Sequence, residues 1–319
     1  MKQTFIAAAV ALACSAALAQ TYPDRPVKII AGTSPGGTVD KIARVIANHL
    51  QTKLGQPFVV ENKPGAGGTL GAELAAKAAP DGYTLTISSA PFISITPLME
   101  KVRYDPIKDF QPVAMVGSQP YVLLVPYDSK AQTVNDVVAQ AKADPSKFSY
   151  SSAGRGTGGH LSGELFSQIS GVPMLHVPYK GVAPAITDVI GGIVSITFAT
   201  TGSSQGVVDG KKVRPIATSG TRRSPAYPQL PTMQEAGFAG YDVSTWYGVS
   251  APAKTPMAIV NLLNKEINIL LADKKVQQDL STDGIILHGG TPTEFEKFEL
   301  DEQARWRKVL DKAGLALKE

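Results

Sequence analysis

One decapeptide restricts the fold more than any other part of the chain: Ala31-Gly32-Thr33-Ser34-Pro35-Gly36-Gly37-Thr38-Val39-Asp40. It follows an apolar run, Val27 to Ala31, that reads as a strand. It precedes Val39, Ile42, Ala43, Ile46 and Leu50, which share one face at helical spacing. A strand, a glycine-rich turn and a helix start leave several backbone N–H groups without partners at the turn. Those groups, with the helix dipole, suit a carboxylate or a phosphate. Gly36 and Gly37 lack a Cβ, so a ligand can come close to the main chain. A turn of this kind also serves as a plain connection, and the stretch alone fits both readings. It matches neither Gly-x-x-x-x-Gly-Lys-Ser/Thr nor Gly-x-Gly-x-x-Gly, which argues against nucleotide binding.

The device occurs twice. Phe148 to Ser151 reads as a strand ending in Ser152-Ala153-Gly154-Arg155-Gly156-Thr157-Gly158-Gly159-His160, before a helix with Leu161, Leu165 and Ile169 on one face. Strand and helix patterns alternate elsewhere too. Strands are expected at Phe58–Val60, Tyr83–Ser88, Tyr121–Pro126, Met174–Val177, Val194–Ala199, Val213–Ser219 and Asp242–Ser250. Helices are expected through Leu70, Leu74, Ala75 and Ala78, after Thr133, from Pro184 to Ile190, after Thr255-Pro256, and from a final cap at Thr293 with Glu296. Thr232 with Glu235 reads as a further capping box. Such alternation implies parallel βαβ units and an α/β fold with doubly wound sheets. A chain of 319 residues is long enough for two domains. No flexible linker is visible, so the expected boundaries are crossing strands near Tyr121 and near Trp246. That gives residues 20–120 plus 247–319 as one domain and 121–246 as the other.

Lys2, the apolar run Phe5 to Leu12 and the small residues up to Ala17-Leu18-Ala19 read as a signal peptide over residues 1–19, cleaved before Gln20. The run is too short to span a bilayer. Cys14, the single cysteine, lies inside this leader, and Ala11 stands where a lipoprotein signal wants a bulky apolar residue. An exported chain without disulfides points to the periplasm. A net charge of +4, scattered along the sequence, argues against nucleic acid.

The four histidines, His49, His160, His176 and His288, show no metal-ligand spacing, so no metal is expected. His49 reads as a solvated residue and His176 as a core one; His160, at a helix start, either donates to a ligand or braces its turn. Ser34, Ser152, His160, Asp40 and Asp188 can be assembled into a hydrolase on paper, but no Gly-x-Ser-x-Gly elbow supports one. Catalytic residues are therefore expected to be none. Asp40 fits both a brace on its turn and a contact to a ligand amino group. Arg155 and Lys180 fit both a second ligand carboxylate and solvent.

Several motifs resemble the periplasmic solute receptors of tripartite tricarboxylate transporters, the Bug family. They include Tyr22-Pro23-Asp24-Arg25-Pro26-Val27, Ser34 to Asp40, Val60-Glu61-Asn62-Lys63-Pro64-Gly65-Ala66-Gly67-Gly68 and Pro80-Asp81-Gly82-Tyr83. Gly154 to Leu161, His176-Val177-Pro178-Tyr179-Lys180-Gly181, Pro231 to Gly237 and Trp246-Tyr247-Gly248 extend the likeness along the chain after the leader. The resemblance implies two α/β domains joined by crossing strands, a type II periplasmic-binding-protein fold that closes like a Venus flytrap. It implies no cofactor, a small organic acid as ligand, and membrane permease subunits as partners of a monomeric receptor. The implied contacts in the first domain are Ser34, Pro35, Gly36, Gly37, Thr38, Asp40 and Ser88. In the second they are Ser152, Ala153, Gly154, Gly156, Thr157, His160, Tyr179, Lys180, Gly181 and Thr200. Phe198-Ala199-Thr200 and Arg155 depart from the family's common residues, which bears on the far end of the ligand. A sensor that presents its ligand-bound form to a signalling partner, or a periplasmic hydrolase, are the competing functions.

If the first turn holds the ligand through its main chain, Gly37→Val abolishes binding in calorimetry while leaving the fold intact. Normal binding by that variant removes the turn from the site.

Overall fold

A computed structural model describes residues 22–317. The expected leader, residues 1–19 with Cys14, lies outside the described residues. In chain order the elements are β1 (Val27–Ala31), α1 (Thr38–Leu54), β2 (Phe58–Asn62), α2 (Thr69–Ala76), β3 (Thr84–Ser89), α3 (Thr96–Met99) and β4 (Phe110–Pro126). There follow α4 (Val134–Ala143), β5 (Ser149–Ser152), α5 (Gly158–Ser170), β6 (Leu175–Pro178), α6 (Val182–Ile190), β7 (Ile196–Thr200), α7 (Thr201–Asp209) and β8 (Val213–Thr218). The chain ends through β9 (Ser244–Pro252), α8 (Met257–Leu271), α9 (Lys274–Ser281), β10 (Ile286–Leu287) and α10 (Pro292–Ala313).

The strands run in the order β2-β1-β3-β9-β4-β7-β5-β6, with β10 and β8 also on β4. β2-β1-β3 are parallel, as are β7-β5-β6, each set being built of βαβ units. β4 and β9 run antiparallel to their neighbours, so neither sheet is purely parallel. β4 joins the two sheets. Its first part, up to Pro120, pairs with β9, and its second part, from Tyr121, pairs with β7 and β8. The result is two α/β halves joined by crossing strands.

Periodicity explains the packing. Val39, Ile42, Ala43, Ile46 and Leu50 of α1 are buried against Val27, Ile29, Leu85 and Val249 of the sheet. In the other half Leu161, Leu165 and Phe166 of α5 lie in a core with Tyr150, Ile196 and Phe198. Behind the crossing strands, Trp246 packs edge-on against Phe295 and Phe298 of α10.

Some expectations change. α2 does not bury Leu70 and Leu74, which are 45% and 43% exposed; it buries Gly71, Ala72 and Ala75. The reason is close approach: a Cβ on Gly71 would lie 3.0 Å from Gly32 Cα, so only a small-residue face fits there. The last helix is capped by Thr291 and Glu294, not by Thr293 and Glu296, with Pro292 in its first turn. Thr232 and Glu235 form the hydrogen bonds of a capping box, yet they close a turn with no helix after it. His49 is half-buried beside Glu266, at 3.5 Å, and not solvated.

Candidate functional site

Both glycine-rich turns lie where a parallel strand hands over to a helix. In the first, Ser34, Pro35, Gly36 and Gly37 are exposed and Thr38 is half-buried. Gly36 has φ +87°, a left-handed value that favours glycine. Gly37 is the N-cap of α1 and supplies no side-chain cap, so the first N–H groups of the helix are not closed off by it. A Cβ on Gly37 would meet nothing nearer than 3.8 Å, so a larger residue fits the fold there.

Asp40 holds this turn from inside. Its carboxylate accepts from the Gly36 N–H and Arg44 Nε, each at 2.9 Å, and from Asn62 Nδ2, also at 2.9 Å. Asn62 reaches further, donating to the Thr33 carbonyl at 3.0 Å. The Arg44 hydrogen bond, followed by those from Gly36 and Asn62, brings the Asp40 carboxyl down to about 2 against the cost of burial. With these three donors on it, Asp40 braces the turn from inside. Ser88 likewise faces inward: it is fully buried, and its Oγ accepts from Ser250 Oγ at 3.0 Å.

The second turn is braced in the same manner by different groups. Ser152 Oγ donates to the Gly154 carbonyl at 3.0 Å, accepts the Gly154 N–H at 3.1 Å and lies 2.7 Å from His176 Nε2. Thr157 Oγ1 donates to the same carbonyl at 2.7 Å. His160 Nδ1 accepts the Gly156 N–H at 3.1 Å, so this histidine braces its turn. The His160 and His176 rings stack at 4.0 Å. Burial pushes His160 down to about 3 and His176 to about 4, with the charge of Arg155 adding to both. Both are neutral at pH 7. The Ser152–His176 contact has the spacing of a nucleophile and its base, but Ser152 is 1% exposed and its hydroxyl closes the turn.

A cavity of about 160 Å³ opens between this turn and its neighbours, lined by Tyr121, Ala153, Thr157, Gly158, Gly159, Val182, Phe198, Ala199, Thr200 and Ser203. Three helices begin on it: α5 at Gly158, α6 at Val182 and α7 at Thr201. Gly181 and Thr200, the N-caps of α6 and α7, provide no side-chain cap. First-turn N–H groups left without a side-chain cap at α6 and α7, together with the N-terminal ends of three helices, favour an anion without any fixed cation. Gly158 and Gly159 are needed for the fit, since a Cβ on them would lie 2.0 Å from Tyr121 Oη and 2.6 Å from the Phe198 carbonyl.

Tyr179 and Lys180 flank the cavity residues. The Tyr179 hydroxyl donates to Asp188, which with burial pushes it up to about 12, and its N–H donates to the Ser152 carbonyl at 3.0 Å. Lys180 is exposed, and Gly181 turns the chain with φ +118°. Gly154 and Gly156 form the tip of the second turn, with φ +131° and +75°.

A polar strip on the crossing strands runs between the two turns. The Tyr247 hydroxyl donates to Gln119 Oε1 at 2.9 Å. Burial and nearby Tyr121 raise its pKa, offset by side-chain hydrogen bonds with Thr38 of the first turn and with Thr245. Tyr121, pushed up to about 12 by burial, stands over Gly158 of the second. Tyr121, Ser203 and Tyr247 were not among the expected contacts; no local pattern distinguishes them from packing residues. The run Gly158-Gly159 was the available signal for the cavity wall.

The sequence pattern of the family described as the tripartite tricarboxylate transporter family receptor, TctC, matches residues 42–315. The chain belongs to this receptor family. Its similarity to the protein BugT of Bordetella pertussis is 37% identity over 302 residues, 94% of this chain and 93% of BugT. Among solved structures it is similar to R. palustris Rpa4515 with adipate, at 35% identity and TM-score 0.83, covering 92% of this chain and 99% of that one. It is also similar to MatC of Rhodopseudomonas palustris with bound malate, at 30% identity and TM-score 0.77, covering 91% and 100%. TctC receptors bind solutes and are not enzymes, and the two-domain periplasmic binding fold of these relatives agrees with the two halves described above. Among the described residues no group of three or more His, Cys, Asp or Glu side chains could hold a metal. Among them, too, no helix is long and apolar enough to cross a membrane.

The neutral histidine pair predicts a pH dependence. As pH falls from 6.5 toward 4, the unfolded chain takes up protons that the folded pair refuses, so the pair's contribution to stability is lost in that window. Glu299, pushed up to about 8 by burial, acts in the opposite sense, so the comparison must be differential. The expected outcome is that His160→Gln/His176→Gln flattens the fall in melting temperature between pH 6.5 and 4; an unchanged slope would contradict neutral rings in the folded state.

Proposed function

We propose that the chain is a periplasmic receptor that captures a small organic acid between its two halves and delivers it to the permease subunits of a tripartite tricarboxylate transporter. The halves are residues 20–120 with 247–319 and residues 121–246. The observation that carries this reading is the cavity on which α5, α6 and α7 begin, two of them without a side-chain cap. An acid with one carboxylate in that cavity finds amide donors and aligned dipoles in place of water.

The first turn completes the grip through the exposed main chain from Ser34 to Thr38. Asp40, His160 and Ser152 keep the two turns in shape and do not themselves hold the acid. Closure is a hinge movement at β4 and β9, which requires no covalent chemistry. The bound acids of Rpa4515 and MatC support a carboxylate as ligand, and the family's description supports a transporter as destination. The leader expected at residues 1–19 supports export.

A receptor of this kind binds one acid per chain, is stabilised against heat as the acid is added, and returns the acid unchanged. The expected result of a thermal-shift screen of C4 to C6 organic acids on residues 20–319 is a concentration-dependent rise in melting temperature, roughly 3 kcal/mol of added stability at a hundredfold excess over Kd. No shift with any acid, or consumption of the acid on incubation, overturns the proposal.

A further inference from the structure

A corner of the first half reaches the start of α7 in the second. It is the turn after α9, residues 282–285, and two side chains of its own half fix it. Lys41 Nζ of α1 donates to Asp283 Oδ2 at 2.5 Å and to the Asp279 carbonyl at 3.1 Å. Gln119 Nε2 donates to the Asp283 carbonyl at 2.5 Å, while Gln119 Oε1 accepts from Tyr247 in the polar strip. Gln119 is fully buried, so its amide has no water to turn to if the corner moves.

The second half lies directly against this corner. Gly284 has φ +76°, and a Cβ on it would fall 2.5 Å from Thr201 Oγ1, 3.0 Å from Thr201 Cβ and 3.1 Å from Ser224 Oγ. Ordinary contact begins at about 3.5 Å, so a single methyl group would force the two sides apart by about 1 Å. Thr201 is the first residue of α7 and is 1% exposed. Its hydroxyl has no hydrogen-bond partner among the described residues, so the halves meet here by shape and not by a bond. The residue before it, Thr200, lines the cavity. Gln119, which holds the corner, stands two residues before Tyr121, where β4 passes from one half to the other. A displacement so close to the pivot grows with distance from it.

We propose that the Asp283–Gly284 corner is the seat on which α7 rests: it positions the cavity wall relative to the first turn and limits how closely the halves approach. The inference rests on the hinge closure proposed above and deepens it by naming the stop. Gly284 is a positioning residue, acting through Thr201 and not on the acid itself. Its φ and its neighbours both exclude a Cβ, so only glycine lets the seat fit.

Cys14 is the single cysteine, so residues 20–319 accept spin labels at chosen sites. Nitroxides at Gln51→Cys and Asn135→Cys, exposed positions in the two halves, report the distance between the halves by double electron–electron resonance. Gly284→Ala is expected to displace that distance in the protein without ligand. In calorimetry it weakens binding of adipate or malate roughly tenfold or more, in proportion to the closed form lost. Gly284→Ala/Thr201→Gly returns distance and affinity to those of Thr201→Gly alone, a rescue that backbone strain at residue 284 would not permit. Thr201→Gly by itself removes the other side of the seat and broadens the distance distribution, a readout that stands even where Gly284→Ala fails to fold. An unchanged distance in Gly284→Ala, or a displacement that persists in the double variant, overturns the proposal. So does a Thr201→Gly distribution as narrow as the wild type's. If the wild type binds neither acid, the receptor reading loses its support, and the distances still decide the seat.

Discussion

Unpaired amide donors at the start of a helix must find acceptors. A helix leaves four N–H groups without intrahelical partners, and in most helices a side chain at the N-cap takes one or two of them. Here α1, α6 and α7 begin from Gly37, Gly181 and Thr200 with no side-chain cap, beside turns that present their main chain to the space around them. Two helices elsewhere, α4 and α10, are capped in full, Thr133 with Asp136 and Thr291 with Glu294 forming complete capping boxes, while α2 and α8 also begin without a side-chain cap. The open starts at Gly37, Gly181 and Thr200 lie at the first turn and on the wall of the cavity beside the second.

Leaving donors open costs order in the turns, and a second set of side chains restores it. Asp40 gathers Gly36, Arg44 and Asn62 on its two oxygens, and Ser152, Thr157 and His160 lock the other turn from beneath. These residues have the polarity of catalytic or ligand-binding groups, yet their hydrogen bonds go to backbone and side chains of the turns and their neighbours. The crossing strands then set the relation between the turns. Tyr247, Gln119, Thr245 and Tyr121 form a buried polar strip from Thr38 to Gly158 on one face, and Trp246 packs against α10 on the other. A hinge movement at β4 and β9 would carry that strip with it.

The glycine-rich turns were legible because each lies between a strand pattern, Val27–Ala31 apolar and Phe148–Ser151 alternating, and a helical stripe. The halves of the fold were legible for the same reason. The first part of β4 was not, because Pro112, Gly117 and Pro120 punctuate it and its register shifts twice against β9. α7 was not either: Gly202, Ser203, Ser204 and Gly206 carry little helix propensity, and it is buried Thr201 and Ser204 with Val207 and Val208 that pack the segment against the core. The exposed side of α2 was misjudged because Leu70 and Leu74 outrank glycine and alanine on any hydropathy pattern, whereas close approach to Gly32 decides the face. Within the candidate site the turns were visible and their partners were not. Tyr247 meets Gln119 across 128 positions of sequence, and no periodicity encodes such a contact.

The central claim is that main-chain amides, and not a salt bridge, hold the end of an acid. The most direct measurement is a crystal structure of residues 20–319 grown with a bound C4 to C6 acid. The account predicts one carboxylate of the acid in the cavity lined by Gly158, Val182 and Thr200, its oxygens about 2.7–3.2 Å from backbone N–H groups or from waters bound to them. An acid seated elsewhere, or one whose only polar contacts are charged side chains, would contradict it.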